Sequence, residues 1–150
     1  MKSQEEVKIR KTKSEDMEKI HQIAKESFKE PYPLQLLKQI HDTAPEGFLT
    51  AEKNGEVVGY LISLVRWEDI GHILAIAVEK EHRRENIGKS LMDRAIKELR
   101  ENGAKNVKLE VRVGNESAQE FYQEIGFEPK KVAPEYYSDE EDALTMKYGL

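Results

Sequence analysis

The sequence predicts a mixed α/β (α+β) domain, with one mixed central sheet of about seven strands flanked by four helices. Three observations carry that expectation. Apolar residues recur with a period of two in some segments and at helical spacing in others. The two kinds alternate in the order strand, helix, helix, three strands, helix, strand, helix, two strands, which calls for helices on both faces of one sheet. Residues that break or turn the chain, such as Asn54-Gly55, Gly103 and Gly126, fall at the junctions.

Val7 and Ile9 alternate with polar residues and open a first strand. Ser14 is placed to cap a helix with Glu15 and Asp16 in its first turn, where the helix dipole favours acids. Met17, Ile20, Ile23, Ala24 and Phe28 form that helix's apolar stripe. Pro31 and Pro33 end it, and Leu34, Leu37 and Ile40 mark a second helix. Phe48 to Glu52 reads as a strand. Asn54-Gly55 then makes a two-residue hairpin turn, since both residues tolerate positive φ. A long strand runs from Val57 to about Trp67 and turns at Glu68-Asp69. Ile73 to Val78 is nearly all apolar, as for a strand buried on both faces. Ile87, Leu91, Met92, Ala95, Ile96 and Leu99 line one side of a third helix, ended by Gly103. Val107, Leu109, Val111 and Val113 alternate through a strand. Asn115 caps a helix ended by Gly126, and the tail holds two strands around a Tyr136-Tyr137 loop.

The 150 residues suit one domain, without repeat or linker. With Lys+Arg 24 against Asp+Glu 29, the net charge is −5, which argues against direct nucleic-acid binding. The chain has no cysteine, so it holds no disulfide, thiolate metal site or cysteine nucleophile. His21, His41, His72 and His82 lack ligand spacing, and no metal is expected. The N-terminus MKSQEEVKIRKTK has no apolar signal region, and no stretch is apolar enough to span a membrane, so a cytoplasmic protein is expected.

The most informative stretch is Ile73 to Leu91, in which an apolar strand runs through the polar loop RRENIGKS into a helix. Backbone N–H groups converging at a helix start make an anion site. Arg83, Arg84 and Lys89 add positive charge. Alone, the same residues also read as a basic surface turn. The strand-loop-helix resembles the acetyl-CoA motif of the GNAT acetyltransferases, Gln/Arg-x-x-Gly-x-Gly/Ala, here Arg83-Arg84-Glu85-Asn86-Ile87-Gly88. Asn86 replaces the first glycine and tolerates the same left-handed backbone. Gly71-His72-Ile73 followed by His82-Arg83-Arg84 is similar to archaeal and eukaryotic N-terminal (NatA-type) catalytic subunits. Leu109-Glu110-Val111-Arg112, Asn115 and Phe121-Tyr122 resemble RimI-type ribosomal-protein-alanine acetyltransferases. The tail Tyr136-Tyr137 through Glu141-Asp142-Ala143 is similar to both groups.

The resemblance implies a GNAT fold and transfer of an acetyl group from acetyl-CoA to the α-amine of a protein or peptide N-terminus, with a ribosomal protein among the candidates. It implies that Ile76, Ala77 and Val78 pair with the pantetheine arm. The loop Arg83, Arg84, Glu85, Asn86, Ile87, Gly88, Lys89 and Ser90 would hold the pyrophosphate, and Asn115 would also touch the cofactor. Tyr122 is implied as the acid for the CoA sulfur. Glu110, His72 and Glu30 share the base function. Such a reaction needs both groups, because the amine must be neutral to attack and the thiolate must be protonated to leave. Phe28, Tyr32, Tyr136 and Tyr137 would wall the peptide slot, and the acids Asp139 to Asp142 would attract a cationic peptide. From the residues alone, Glu110 also reads as part of a solvated strand face and Tyr122 as a core aromatic. A small-amine or lysine acetyltransferase and a non-catalytic CoA-binding module remain alternatives; oligomeric state is open.

Overall fold

The structure is a computed structural model and describes residues 6–150. The N-terminal reading for residues 1–5 lies outside the described residues. The elements follow the expected order: β1 (Val7–Lys11), α1 (Met17–Ser27), α2 (Leu34–Thr43), β2 (Phe48–Lys53), β3 (Glu56–Arg66), β4 (Ile70–Val78), α3 (Ile87–Glu101), β5 (Asn106–Arg112), α4 (Glu116–Ile125), β6 (Glu128–Ala133) and β7 (Ala143–Gly149). The strands form one sheet in the order β1-β2-β3-β4-β5-β7-β6. It is mixed, because β4 and β5 run parallel while β1 with β2, β2 with β3, and β7 with both β5 and β6 are antiparallel. Among the described residues, no helix is long and apolar enough to cross a membrane, and no group of His, Asp or Glu is arranged to hold a metal.

The chain divides into two compact units. One comprises the chain up to Ser63 with Ala75–Lys97, the other Leu64–Leu74 with Glu98–Leu150. In the first, Met17, Ile20, Ile23 and Ala24 of α1 and Leu91 and Met92 of α3 are buried, as their spacing predicts. Ser14 does not cap α1. Ser14–Asp16 form a single 3-10 turn, and Asp16, which stands just before α1 without capping it, accepts the Lys13 N–H at 2.7 Å. Arg10 clamps that carboxylate at 2.8 and 3.1 Å and reaches Glu52 at 2.7 Å, a charge-assisted clasp from β1 to α1 and β2. Asn54 and Gly55 have φ of 55° and 78°, the mirror-image turn expected of the pair. Phe28 is the residue that departs from the helical stripe: α1 stops at Ser27, and Phe28 is extended and 37% exposed.

In the second unit, α3 ends in a Schellman motif, with Gly103 N–H donating to Arg100 O and Ala104 N–H to Leu99 O. Val107, Leu109 and Val111 of β5 face the core, and Lys108, Glu110 and Arg112 face the other way. Val113, expected in the strand, lies beyond its end and is 40% exposed. Asn115 caps α4 by accepting the Ala118 N–H at 3.2 Å. Gly71 sits where a Cβ would come within 2.9 Å of Leu99 Cδ1, so any larger residue there would make the Leu99 side chain shift. Strand β4 begins at Ile70 and is less buried than its sequence predicts. His72, Ile73 and Ala77 are covered, whereas Leu74, Ala75 and Ile76 keep part of their surface open.

Candidate active site

Parallel pairing sets His72 of β4 in register with Lys108 of β5, and Glu110 follows two residues on along the same face. That register brings the three side chains together. His72 Nε2 lies 2.8 Å from Glu110 Oε1, and Lys108 Nζ 2.9 Å from Glu110 Oε2. The Tyr136 hydroxyl donates to Glu110 Oε1 at 3.5 Å. The side chains of His72 and Glu110 are each only 8% exposed. Burial alone would raise the Glu110 pKa, but hydrogen bonds from His72 and Lys108 outweigh it and hold the carboxyl at about 2. Glu110 is therefore ionised and accepts only, so His72 Nε2 carries the proton of their hydrogen bond. Nδ1, the remaining ring nitrogen, is buried and has no protein partner. In the neutral ring it is the basic atom.

The β6–β7 loop is built around Arg112. Its guanidinium donates to Asp139 at 3.0 Å and Glu141 at 2.8 Å and lies 4.0 Å from the Tyr137 ring centroid. Glu141 also accepts from Gly114 N–H through its carboxylate and from the N–H groups of Tyr136 and Tyr137 through its carbonyl. Asp142 accepts from Glu135 N–H at 2.9 Å. The acids expected to attract a cationic peptide thus largely shape their own loop. The rings of Tyr136 and Tyr137 meet edge to face at 5.0 Å. Burial, the neighbouring Tyr136 and the Glu110 charge push the Tyr137 phenol up to about 12. Burial chiefly, with a further push from Tyr137, raises the Tyr122 phenol above its usual value, so it keeps its proton at neutral pH. Tyr122 packs edge-on against Phe121 at 5.3 Å and Phe127 at 5.9 Å. Glu110, His72, Tyr122, Tyr136 and Tyr137 all belong to this unit.

The other unit carries the loop before α3. Arg84 and Asn86 both adopt left-handed backbone, with φ of 69° and 65°. Asparagine meets that requirement as expected. Arg84 carries no such signal in sequence. Arg83 N–H donates to Lys80 O, and its side chain donates to Val78 O and Ser27 Oγ, so Arg83 braces the loop. Ser90 N–H already makes the first bond of α3, to Asn86 O. The amides of Ile87, Gly88 and Lys89 precede any intrahelical acceptor and fit an anion. Glu85 is neutralised by Lys53 at 2.7 Å, and Lys89 pairs with Asp93 at 3.0 Å. On the segment between α1 and α2, Phe28 and Glu30 are exposed and Tyr32 is half-buried. The Tyr32 phenol adds to burial in raising that of Tyr60, a fully buried residue of β3.

Sequence reasoning gave no role to Lys108 or Arg112. Both were legible as sharing Glu110's face of the strand. Their partners come from cross-strand register and from a loop, neither of which has a local signal.

The acetyltransferase (GNAT) family model matches residues 17–127. An uncharacterized N-acetyltransferase of Methanocaldococcus jannaschii is 39% identical, over 92% of this chain and 88% of its own. An N-alpha-acetyltransferase of Sulfurisphaera tokodaii is 34% identical, over 97% of this chain and 94% of its own. The crystal structure of Ard1 from Thermoplasma volcanium superposes with a TM-score of 0.92 at 34% identity, covering 96% of this chain and 97% of that one. The chain belongs to the acetyltransferase (GNAT) family.

Proposed function

We propose that the protein transfers the acetyl group of acetyl-CoA to the α-amino group of protein N-termini, ribosomal proteins among them, in the cytoplasm. The observation that carries this reading is the buried His72–Glu110 pair, in the same unit as the protonated Tyr122 phenol. The relative of S. tokodaii named as an N-alpha-acetyltransferase supports it.

Bound acetyl-CoA supplies the activated acetyl group. Its pyrophosphate fits the N–H groups of Ile87, Gly88 and Lys89, and its pantetheine arm fits the partly open Ile76–Val78 stretch of β4. Asn115, already committed to its helix cap, contributes from an exposed position. An α-ammonium has a pKa near 8. Transfer of its proton directly to a carboxylate at about 2 is uphill by about 8 kcal/mol. The hydrogen-bonded His72–Glu110 pair therefore accepts it as a unit, the carboxylate orienting the ring and supporting the charge that the ring gains. Glu30 assists from the segment after α1. The amine nitrogen bonds to the acetyl carbon, the carbon–sulfur bond breaks, and Tyr122 gives its phenolic proton to the sulfur. Tyr136 and Tyr137 contact the first residues of the peptide.

The test is CoA release with short peptides bearing free or blocked N-termini and one internal lysine. Turnover of free N-termini alone is expected. Turnover of blocked peptides would move the assignment to lysine, and acetyl-CoA binding without peptide turnover would move it to a small amine or a binding module.

A further inference from the structure

The chain's single tryptophan stands where a bulky side chain is costly. Trp67 lies in the β3–β4 turn with φ of 49°, followed by Glu68 at 72°, and its side chain is 63% exposed. A left-handed backbone at a non-glycine residue is strained, and exposing an indole forgoes the burial that its area would otherwise gain. Asparagine or glycine would relieve both costs in such a turn.

The ring is nevertheless held in place. The Arg66 guanidinium lies 5.7 Å from its centroid and the Lys108 ammonium 5.6 Å. Lys108 is the residue that also holds Glu110, at 2.9 Å. One ammonium thus links the tryptophan to the reactive cluster within the same unit. Through that ammonium, ring and carboxylate stand at most roughly 8.5 Å apart, or two to three residues of extended chain at about 3.3 Å each.

We propose that Trp67 is a specificity-determining contact for the substrate's third or fourth residue, taking a large aliphatic or aromatic side chain. This rests on the N-terminal acetylation reading. The occupant follows from proximity: within roughly 8.5 Å of the carboxylate, the indole is in reach of a polypeptide whose α-amine is at His72 and Glu110. The part of its large ring that the two cations leave open favours a bulky apolar side chain over a small one.

Because no other tryptophan emits, fluorescence reads this contact directly and apart from turnover. Peptides with a free N-terminus and Ala, Leu or Phe at positions three and four would be titrated into wild type and assayed for CoA release, with W67A, W67F and W67N in parallel. Leu or Phe is expected to shift the emission to the blue and to lower KM about five- to tenfold relative to Ala, for an apolar contact of this size. W67A and W67N should lose that preference, and W67F should keep most of it. W67N suits the left-handed turn, so its loss of preference cannot be put down to misfolding. Turnover with no emission change, or an unchanged preference in W67N, overturns the proposal and leaves N-terminal acetylation standing. No turnover of any free N-terminal peptide by wild type overturns both.

Discussion

Replacing Glu110 by Gln tests whether this carboxylate is held charged by its neighbours. Its pKa falls from the ordinary 4.5 to about 2. At about 1.4 kcal/mol per pH unit, the ionised form contributes about 3 kcal/mol to stability at neutral pH. The folded-state value is the depressed one. The contribution is therefore complete above the unfolded value of about 4.5 and disappears as pH falls through about 2. Urea unfolding of wild type and E110Q at pH 7, 5 and 3 reads this out. E110Q should be less stable at pH 7, because Lys108 loses its counter-charge and His72 its acceptor. Between pH 7 and pH 3 the gap should narrow by about 2 kcal/mol, most of it below pH 5. A gap of equal size at pH 7 and pH 3 would show that the His72 and Lys108 contacts do not hold the charge, and would remove the basis for excluding Glu110 as the direct proton acceptor.

Y122F should lower kcat about 100-fold, the lower end of what a positioned general acid contributes, and leave peptide KM in place; an unchanged kcat would make Tyr122 a packing residue. N86V forces a β-branched residue into left-handed backbone and should raise the acetyl-CoA KM about tenfold, with N86G near wild type; equal KM values for N86V and wild type would mean that the loop does not bind through its backbone. R112A removes the donor shared by Asp139 and Glu141. It should accelerate amide exchange across residues 135–141 and raise peptide KM several-fold, while acetyl-CoA KM stays constant; unaltered exchange would show that the loop holds its shape without the guanidinium.

Local chemistry made much of the fold legible. Asn54-Gly55, Gly103, Asn115 and Gly126 each terminate or cap the element expected of them, because a left-handed φ or an orphan amide is a property of a few adjacent residues. Where distant groups compete, sequence misled. Ser14 does not cap because Ser14–Asp16 wind into a 3-10 turn, with the Asp16 carboxylate held by Arg10 on another element and by the Lys13 N–H. The helix stripe ran one residue too far at Phe28, and the strand pattern ran too far at Val113, since periodicity does not show where backbone bonding stops. The resemblance, not a local pattern, singled out Glu110, His72 and Tyr122, and the contact between His72 and Glu110 comes from the β4–β5 register, which no local signal carries. Arg84 and Trp67 occupy left-handed backbone that nothing in their side chains announces.

Glu141 has a consequence beyond shaping its loop. Its carboxylate accepts from Gly114 N–H, at the joint between the strand carrying Glu110 and the helix carrying Tyr122, and its carbonyl accepts from the N–H groups of Tyr136 and Tyr137. The residues that meet the peptide and the joint that spaces acid from base thus share one anchor. On the proposed reading, a peptide that draws the tyrosines toward itself also pulls on that joint, so one contact acts on both the loop and the spacing of Glu110 from Tyr122. Substrates differing only in their opening residues should then differ in kcat as well as KM, and the enzyme should rank N-termini by how well they set the chemistry as much as by how tightly they bind.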